Sequence, residues 1–229
     1  MNGRAGPSTP VPSEGFAAGV RASLPLCIAL VAFGASFGVL ARANGFGVAA
    51  PIVMSLTTFT GASQFAVVSI LGGGGGLGAA VVAAVLLASR YGPIGLSVAP
   101  AITGSIPERF AQSQLVIDES WAVANRGDGT VNRGTLMGAG VALYVAWQVG
   151  TVIGVVGGDF LGNPEKLGLD AAFPALFLGL LAPRLKSREA LAAAIGGAAI
   201  AFVLVPFSRA GIPVVAASSA CLAGWWRRK

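Results

Sequence analysis

A run of small polar residues interrupts one apolar stretch of this sequence, between Val48 and Leu71. Near its middle stand Ser55, Thr57, Thr58, Thr60, Gly61, Ser63 and Gln64. These side chains are too closely spaced to point to one side of a continuous helix. If the helix breaks at Gly61, hydroxyls and freed backbone groups can line a cavity, and the second half-helix can offer N–H groups to a carboxylate. The alternative is that Ser and Thr bond back to their own helix while Gln64 bridges to a neighbour.

Arg90 is the second residue that could do chemistry. It lies within an apolar stretch, and no acidic residue stands within ten positions of it. An arginine at the bilayer centre costs at least about 2.5–3.5 kcal/mol, so its side chain should face protein or an aqueous cavity. There a guanidinium can pair bidentately with a carboxylate. Alternatively, Arg90 snorkels or pairs with helix-end carbonyls beside Gly92–Pro93.

Two adjacent carboxylates, Asp118 and Glu119, are the third candidate. They precede Ser120 and Trp121 in a polar connection. They could accept a proton and couple its movement to transport, or they could simply carry negative charge at a helix start, where the helix dipole favours it.

The composition indicates a membrane as the setting for these residues. Of the 229 residues, 55% are hydrophobic and 10% are charged, against about 25% charged in a typical soluble domain. The 15 basic and 9 acidic residues are too few to cover a soluble surface. The apolar residues come in blocks long enough to span a membrane as helices. They do not alternate in polarity as the strands of a membrane barrel do.

The same counts disfavour several functions. The chain has no histidine, and neither Cys27 nor Cys221 belongs to a CxxC pattern. We therefore expect no metal, no cofactor and no enzymatic activity. The net charge of +6 comes from basic residues that lie mostly between apolar blocks. Membrane topology explains it better than a nucleic-acid partner does.

The apolar blocks predict an all-α polytopic membrane protein with about seven transmembrane helices, some of them discontinuous. The blocks span about 24–41, 48–71, 77–98, 136–156, 171–182, 190–205 and 212–226. A polar connection at 100–133 carries a further helical stretch at about 108–124.

The order of the blocks predicts an inverted repeat. After a disordered tail (1–15), a single transporter domain (16–229) would comprise repeat one (about 16–100), a connecting loop (101–133), repeat two (about 134–207) and an extra helix (211–226). Three helices are an odd number, so the second copy would be inserted upside down, as in many secondary transporters. The alternative is that any glycine-rich apolar sequence shows such likeness.

The basic residues predict the orientation. With seven helices, four basic residues fall on one side of the membrane and ten on the other, with Arg90 left inside. The positive-inside rule then places the C-terminus in the cytoplasm and the N-terminus outside.

Four segments together resemble the AzlC-like branched-chain amino acid exporter family. They are FGASFGVLARANGFG (33–47), MSLTTFTGASQFAVVSIL (54–71), SRYGPIGLSVAP (89–100) and IDESWAVA (117–124). The likeness extends over roughly residues 14–210, and the recurring motifs contain Gly61, Ser63, Gln64, Arg90, Asp118 and Glu119. One position departs from the family pattern: where Asn commonly stands two residues before the arginine, this chain has Ala88.

The resemblance implies an inner-membrane exporter of branched-chain or similar apolar amino acids, driven by the proton gradient. It also implies a small AzlD-like membrane subunit as partner, alongside membrane lipid and the amino-acid substrate.

Together with the residues, the resemblance predicts a secondary transporter. The substrate-binding residues would be Thr60, Gly61, Ser63, Gln64 and Arg90, with Arg90 near the carboxylate. Phe59, Phe65 and Phe177 would surround an aliphatic side chain, and Asp118 or Glu119 would take up the proton. The alternative function is that of a non-transporting membrane scaffold or accessory subunit.

Overall fold

The regular structure of the described residues is helical. A computed structural model describes residues 15–158, 178, 181–182, 185, 187–208 and 212–222. Its α-helices are α1 (Phe16–Ala43), α2 (Ala49–Thr57), α3 (Gly61–Gly72), α4 (Leu77–Ala88), α5 (Tyr91–Val98), α6 (Ile106–Ser113), α7 (Asp118–Ala124), α8 (Arg133–Gly157), α9 (Arg188–Leu204) and α10 (Ile212–Ser218). This confirms the all-α fold class. The only extended pairing within the described part is one isolated bridge between Asn125 and Val131.

Three described helices are long and apolar enough to cross a membrane: α1, α8, and α9 with its short continuation to Phe207. The pair α4–α5, which bends at a two-residue break, makes a fourth if it counts as one span. The predicted total of about seven stays a prediction, because the fifth block (171–182) lies almost entirely outside the described residues. The inverted repeat stays a prediction as well.

The predicted interruption of the second apolar block is confirmed. The block divides into α2 and α3, and the residues between them, Thr58–Thr60, are hereafter called the break. Gly61 is the first residue of α3 rather than the point of rupture. The third block is also interrupted, since Ser89 and Arg90 separate α4 from α5.

The prediction of a single helical stretch at about 108–124 is wrong, as the structure of this segment shows. It consists of two helices, α6 and α7, with a turn between them. The buried Ser120 hydroxyl fixes this turn, because it accepts from the Ile117 N–H at 2.9 Å and donates to the Leu115 carbonyl at 2.9 Å. A local side-chain bond of this kind competes with the helical ladder.

The chain divides into two compact units. The first consists of the chain through Cys27 together with Pro93–Tyr144, and the second of Ile28–Gly92 together with the chain from Val145 onward. The core of the first unit is built on Val98, Ala124 and Leu136. In the second unit, Ile70 of α3 packs on Ala80 and Ala83 of α4, and α10 packs on both α9 and α4.

Glycines bring α1 and α8 into backbone contact in the second unit. Gly34 and Gly38 of α1 face the stretch of α8 that contains Gly150 and Gly154. A Cβ atom on Gly34 would lie 2.6 Å from the Trp147 carbonyl oxygen, and one on Gly38 would lie 2.5 Å from that of Thr151. Small residues are the usual means by which membrane helices approach so closely. The contact fixes the stretch of α8 that carries Trp147 and Thr151.

A methyl group added at this contact should therefore be costly. We expect Gly38→Ala to lower the stability of the protein by about 1–3 kcal/mol. The new Cβ atom would meet backbone atoms, which cannot move aside by changing rotamer as a side chain can. The measurement is the thermal unfolding midpoint of the full-length protein in detergent.

The matched control is Gly157→Ala, the last residue of α8, where a Cβ atom would meet nothing within 4 Å. Equal unfolding midpoints for the two variants would contradict the packing described for α1 and α8.

Candidate functional site

The break places two helix ends of opposite polarity next to each other in the chain. The Thr58 N–H closes α2 on the Met54 carbonyl at 2.8 Å, and the Thr60 N–H then turns back to the Thr58 carbonyl at 2.7 Å. Thr60 precedes α3, but its side chain does not cap the helix. The last carbonyls of α2 carry partial negative charge and the first amides of α3 carry partial positive charge. Both poles are thus presented within three residues.

Ser55 of α2 is the centre of a buried polar network that ties the break to α8. Its Oγ accepts from Gln64 Nε2 at 2.9 Å and from Trp147 Nε1 at 3.2 Å, and lies 3.0 Å from Thr151 Oγ1. Its backbone carbonyl accepts from Gln148 Nε2 at 3.0 Å. Ser55, Gln64 and Thr151 are fully buried. These five residues are hereafter called the Ser55 network.

The direction of each bond in the network follows from the number of protons. A serine hydroxyl has one proton and two lone pairs. Both lone pairs of Ser55 Oγ receive N–H donors, from Gln64 and Trp147, so its own proton goes to Thr151 Oγ1. The hydroxyl is fully used, and none of its capacity is left for a ligand.

An aromatic cluster surrounds the Trp147 indole. Phe37 stacks on it with ring centroids 6.1 Å apart, and Phe59 and Phe65 each lie 6.4 Å from it. Phe37 and Phe65 also meet edge to face at 5.7 Å. The indole edge lies so close to Gly61 that a Cβ atom there would be 2.9 Å from it. Trp147 therefore covers the first residue of α3.

Two buried oxygens at the start of α3 have no hydrogen-bond partner. They are Thr60 Oγ1 and Gln64 Oε1. The two residues are joined at the start of α3, where the Gln64 N–H bonds back to the Thr60 carbonyl at 3.2 Å. Leaving a buried polar atom unpaired costs about 1–3 kcal/mol, and such atoms are rare. The hydrogen-bonding capacity that is left unused in this region therefore lies at the predicted site.

Four of the predicted substrate-binding residues lie together at the start of α3: Thr60 precedes the helix, and Gly61, Ser63 and Gln64 belong to its first turn. Ser63 has a further role, because its hydroxyl donates to the Ala84 carbonyl of α4 at 3.0 Å. That bond fastens α3 to α4 and is the interhelical alternative for a serine in a membrane helix.

Arg90 lies in the two-residue interruption between α4 and α5, and its side chain is exposed. Its guanidinium donates to the Tyr91 hydroxyl at 3.2 Å and lies over the Tyr91 ring, 5.1 Å from the centroid. The sequence predicts a helix end beside Gly92–Pro93, but both residues lie in the first turn of α5 and the interruption falls earlier, at Ser89 and Arg90. A role in binding stays a prediction.

Asp118 and Glu119 are half-buried in the first turn of α7 and belong to the first unit. Two acidic residues in the first helical turn complement the helix dipole. This agrees with the alternative that they simply carry negative charge at a helix start. Their role as proton acceptors stays a prediction.

Two other acidic residues of the connection are engaged locally. The Ser105 N–H donates to Glu108 at 2.7 Å, and this bond, with one from the Ser105 side chain, lowers the pKa of Glu108. Bonds from the side chain and then the backbone of Thr130 lower the pKa of Asp128. Both carboxyl groups are therefore held in the charged form, which suits fixed caps better than proton carriers.

Sequence reasoning missed Trp147 and Thr151. Both come from α8, which is distant in sequence from the break, and an apolar span containing one Trp and one Thr carries no signal of its own. Gln148, the third contributor from α8, makes a helix–helix hydrogen bond to the Ser55 carbonyl. Among the described residues, no group of three or more His, Cys, Asp or Glu side chains could hold a metal ion.

The apolar helices and the interruptions within two of the apolar blocks define an all-α membrane protein with discontinuous helices. The family model for the AzlC protein matches residues 25–161. The chain belongs to the AzlC family.

Two relatives are similar over most of their length. An uncharacterised membrane protein of Archaeoglobus fulgidus is 33% identical over 220 residues, covering 92% of this chain and 94% of the relative. The inner membrane protein YgaZ of Escherichia coli (strain K12) is 27% identical over 199 residues, covering 80% of each chain. No solved structure matches this chain.

The Ser55 network yields a stability prediction. Ser55→Ala removes the acceptor of both Gln64 and Trp147, and each stranded buried donor costs about 1–3 kcal/mol. We expect a clear fall in the thermal unfolding midpoint in detergent. Ser69→Ala, at an exposed position of α3, should leave the midpoint within about 0.5 kcal/mol of wild type. Equal midpoints for the two variants would show that the network does not hold α2 to α8.

Proposed function

We propose that this protein is a secondary transporter that exports a branched-chain or similar apolar amino acid across the inner membrane. The observation that carries the proposal is the break, where a buried polar site is built into an otherwise apolar pair of helices. Transporters commonly bind substrate at such discontinuous helices, near the midplane of the bilayer.

The electrostatics of the break suit a zwitterion. The amides at the start of α3 favour a carboxylate, because Thr60 does not cap them with its side chain. The carbonyls at the end of α2 favour the positive group of the same molecule. An amino acid carries both charges two bonds apart, so it can complement both poles at once.

The surroundings of the break suit an apolar side chain. Phe59 and Phe65 are buried beside it and contact the Trp147 indole. Aliphatic side chains gain about 25 cal/mol per Å² of apolar surface removed from water, which favours larger aliphatic residues over alanine or glycine. The third predicted pocket residue, Phe177, lies outside the described residues.

Several finer features belong to the same proposal. Arg90 approaches the substrate carboxylate, Asp118 or Glu119 carries the proton that drives transport, and a small AzlD-like subunit accompanies the chain in the membrane. The C-terminus faces the cytoplasm. The printed name of the Escherichia coli relative, an inner membrane protein, supports the choice of membrane.

The competing function is a scaffold or accessory subunit that transports nothing. Tight α1–α8 packing would serve either role. A scaffold, however, has no use for two unpaired buried oxygens beside a helix break, since each lowers stability. This favours a transporter over a scaffold.

The direct test is uptake of labelled leucine into inverted membrane vesicles under an imposed proton gradient. Wild-type vesicles should accumulate leucine. Gln64→Ala and Arg90→Ala should each lower the rate at least about tenfold, since each removes a polar contact worth about 1.4 kcal/mol or more. Arg90→Lys should retain part of the rate, because it keeps the charge but not the bidentate geometry.

Ser69→Ala is the control, and equal protein levels in the membrane fraction are required for every variant. Wild-type rates for both Gln64→Ala and Arg90→Ala would contradict the site assignment. No leucine or related amino-acid uptake by the wild type, with or without a co-expressed small membrane subunit, would favour the scaffold.

A further inference from the structure

The unpaired oxygens at the start of α3 indicate which part of the substrate they contact. Among the described buried side chains, Thr60 Oγ1 and Gln64 Oε1 are the two oxygens without a hydrogen-bond partner. The Gln64 side chain is fully buried. The backbone N–H of Gln64 donates to the Thr60 carbonyl at 3.2 Å, which joins the two residues at the start of α3.

The nitrogen end of the Gln64 amide faces Ser55 in the structure. Its Nε2 donates to Ser55 Oγ at 2.9 Å, and Ser55 is itself held by Trp147 and Thr151. With Nε2 committed to Ser55, the carbonyl Oε1 is left as a pre-positioned acceptor. A pre-organised polar atom loses little freedom when a ligand arrives.

We propose that Gln64 Oε1 and Thr60 Oγ1 form the subsite for the primary ammonium group of the substrate. This inference rests on the proposed function and deepens it by assigning the two ends of the zwitterion: the ammonium binds these two oxygens, and the carboxylate is left for the α3 amides and Arg90.

The chemistry of the two oxygens selects the ammonium. An amide carbonyl oxygen can only accept hydrogen bonds, and a threonine hydroxyl can accept as well as donate. A carboxylate brings no donor for Gln64 Oε1, whereas a primary ammonium brings three. A bond from a charged donor to a neutral acceptor is about twice as strong as a neutral pair.

The absence of acidic residues around the subsite also restricts which ligands it favours. Residues 49–72, which comprise α2, the break and α3, contain no acidic residue. A bare organic cation would therefore enter with its charge uncompensated, at a high cost away from water. A zwitterion brings its own compensating carboxylate. The subsite consequently favours an amino acid over both the simple amine and the simple acid.

The test measures binding to the purified full-length protein in detergent, through the shift in unfolding midpoint as each probe is titrated. The probes are L-leucine and 4-methylpentanoate, which has the same side chain and carboxylate but lacks the ammonium. For the wild type, leucine should bind at least about tenfold more tightly than 4-methylpentanoate.

Gln64→Leu removes the acceptor at nearly constant volume. It should weaken leucine binding by about 10- to 100-fold and leave 4-methylpentanoate within about threefold, so that the preference for leucine disappears. Thr60→Val, which is isosteric and far less disruptive to the Ser55 network, should reduce the same preference by about three- to tenfold. Ser69→Ala should keep the wild-type preference.

The two proposals fail in different ways. A wild-type preference retained in both Gln64→Leu and Thr60→Val would overturn the ammonium subsite, even if vesicles transport leucine. Equal binding of the two probes by the wild type, or binding of neither, would also overturn it, because the oxygens would then be satisfied by water or by the protein alone. A preference that the variants abolish, combined with vesicles that transport nothing, would support the subsite and refute the transporter.

Discussion

The interruption of the second apolar block at Thr58–Thr60 is the constraint on which the rest of the site depends. Breaking a helix frees backbone carbonyls and amides that the bilayer cannot satisfy. The protein accommodates the break by surrounding it with polar contacts from elsewhere, above all the Ser55 network. That network fixes one end of Gln64 and leaves the other end without a partner.

The position of α8 follows from the same constraint. Gly34 and Gly38 let α1 lie against the α8 backbone at Trp147 and Thr151. The same two residues of α8 contact Ser55. The glycine contact between α1 and α8 and the Ser55 network therefore involve the same stretch of α8. The indole also covers Gly61, so a ligand that reaches the α3 amides must displace it or pack against it. This gives Trp147 a direct influence on what the break can hold.

Much of this arrangement could be predicted from the sequence, and what could not has a physical cause. Composition and block length were enough to predict an all-α membrane protein. The density of polar residues around Gly61 was enough to predict where the helix is interrupted. The α6–α7 turn was missed, because it depends on how the Ser120 hydroxyl is shared between two backbone groups. Trp147 and Thr151 were missed because their partners lie more than 80 positions away in the chain, and nothing in α8 marks them as polar contacts. The roles of Arg90, Asp118 and Glu119 stay predictions.

The central claim is that the break is a wet, substrate-binding point within apolar helices, and cysteine labelling tests it most directly. In native membranes containing full-length protein with Cys27→Ala and Cys221→Ala, Thr58→Cys would place a thiol at the break and Ser69→Cys would place one at an exposed position of α3. A charged thiol reagent reacts with the thiolate, which forms only where water has access. The account predicts that Thr58→Cys reacts faster than Ser69→Cys, and that leucine slows the first reaction but not the second. Equal rates at the two positions, or a Thr58→Cys rate that leucine leaves unchanged, would contradict it.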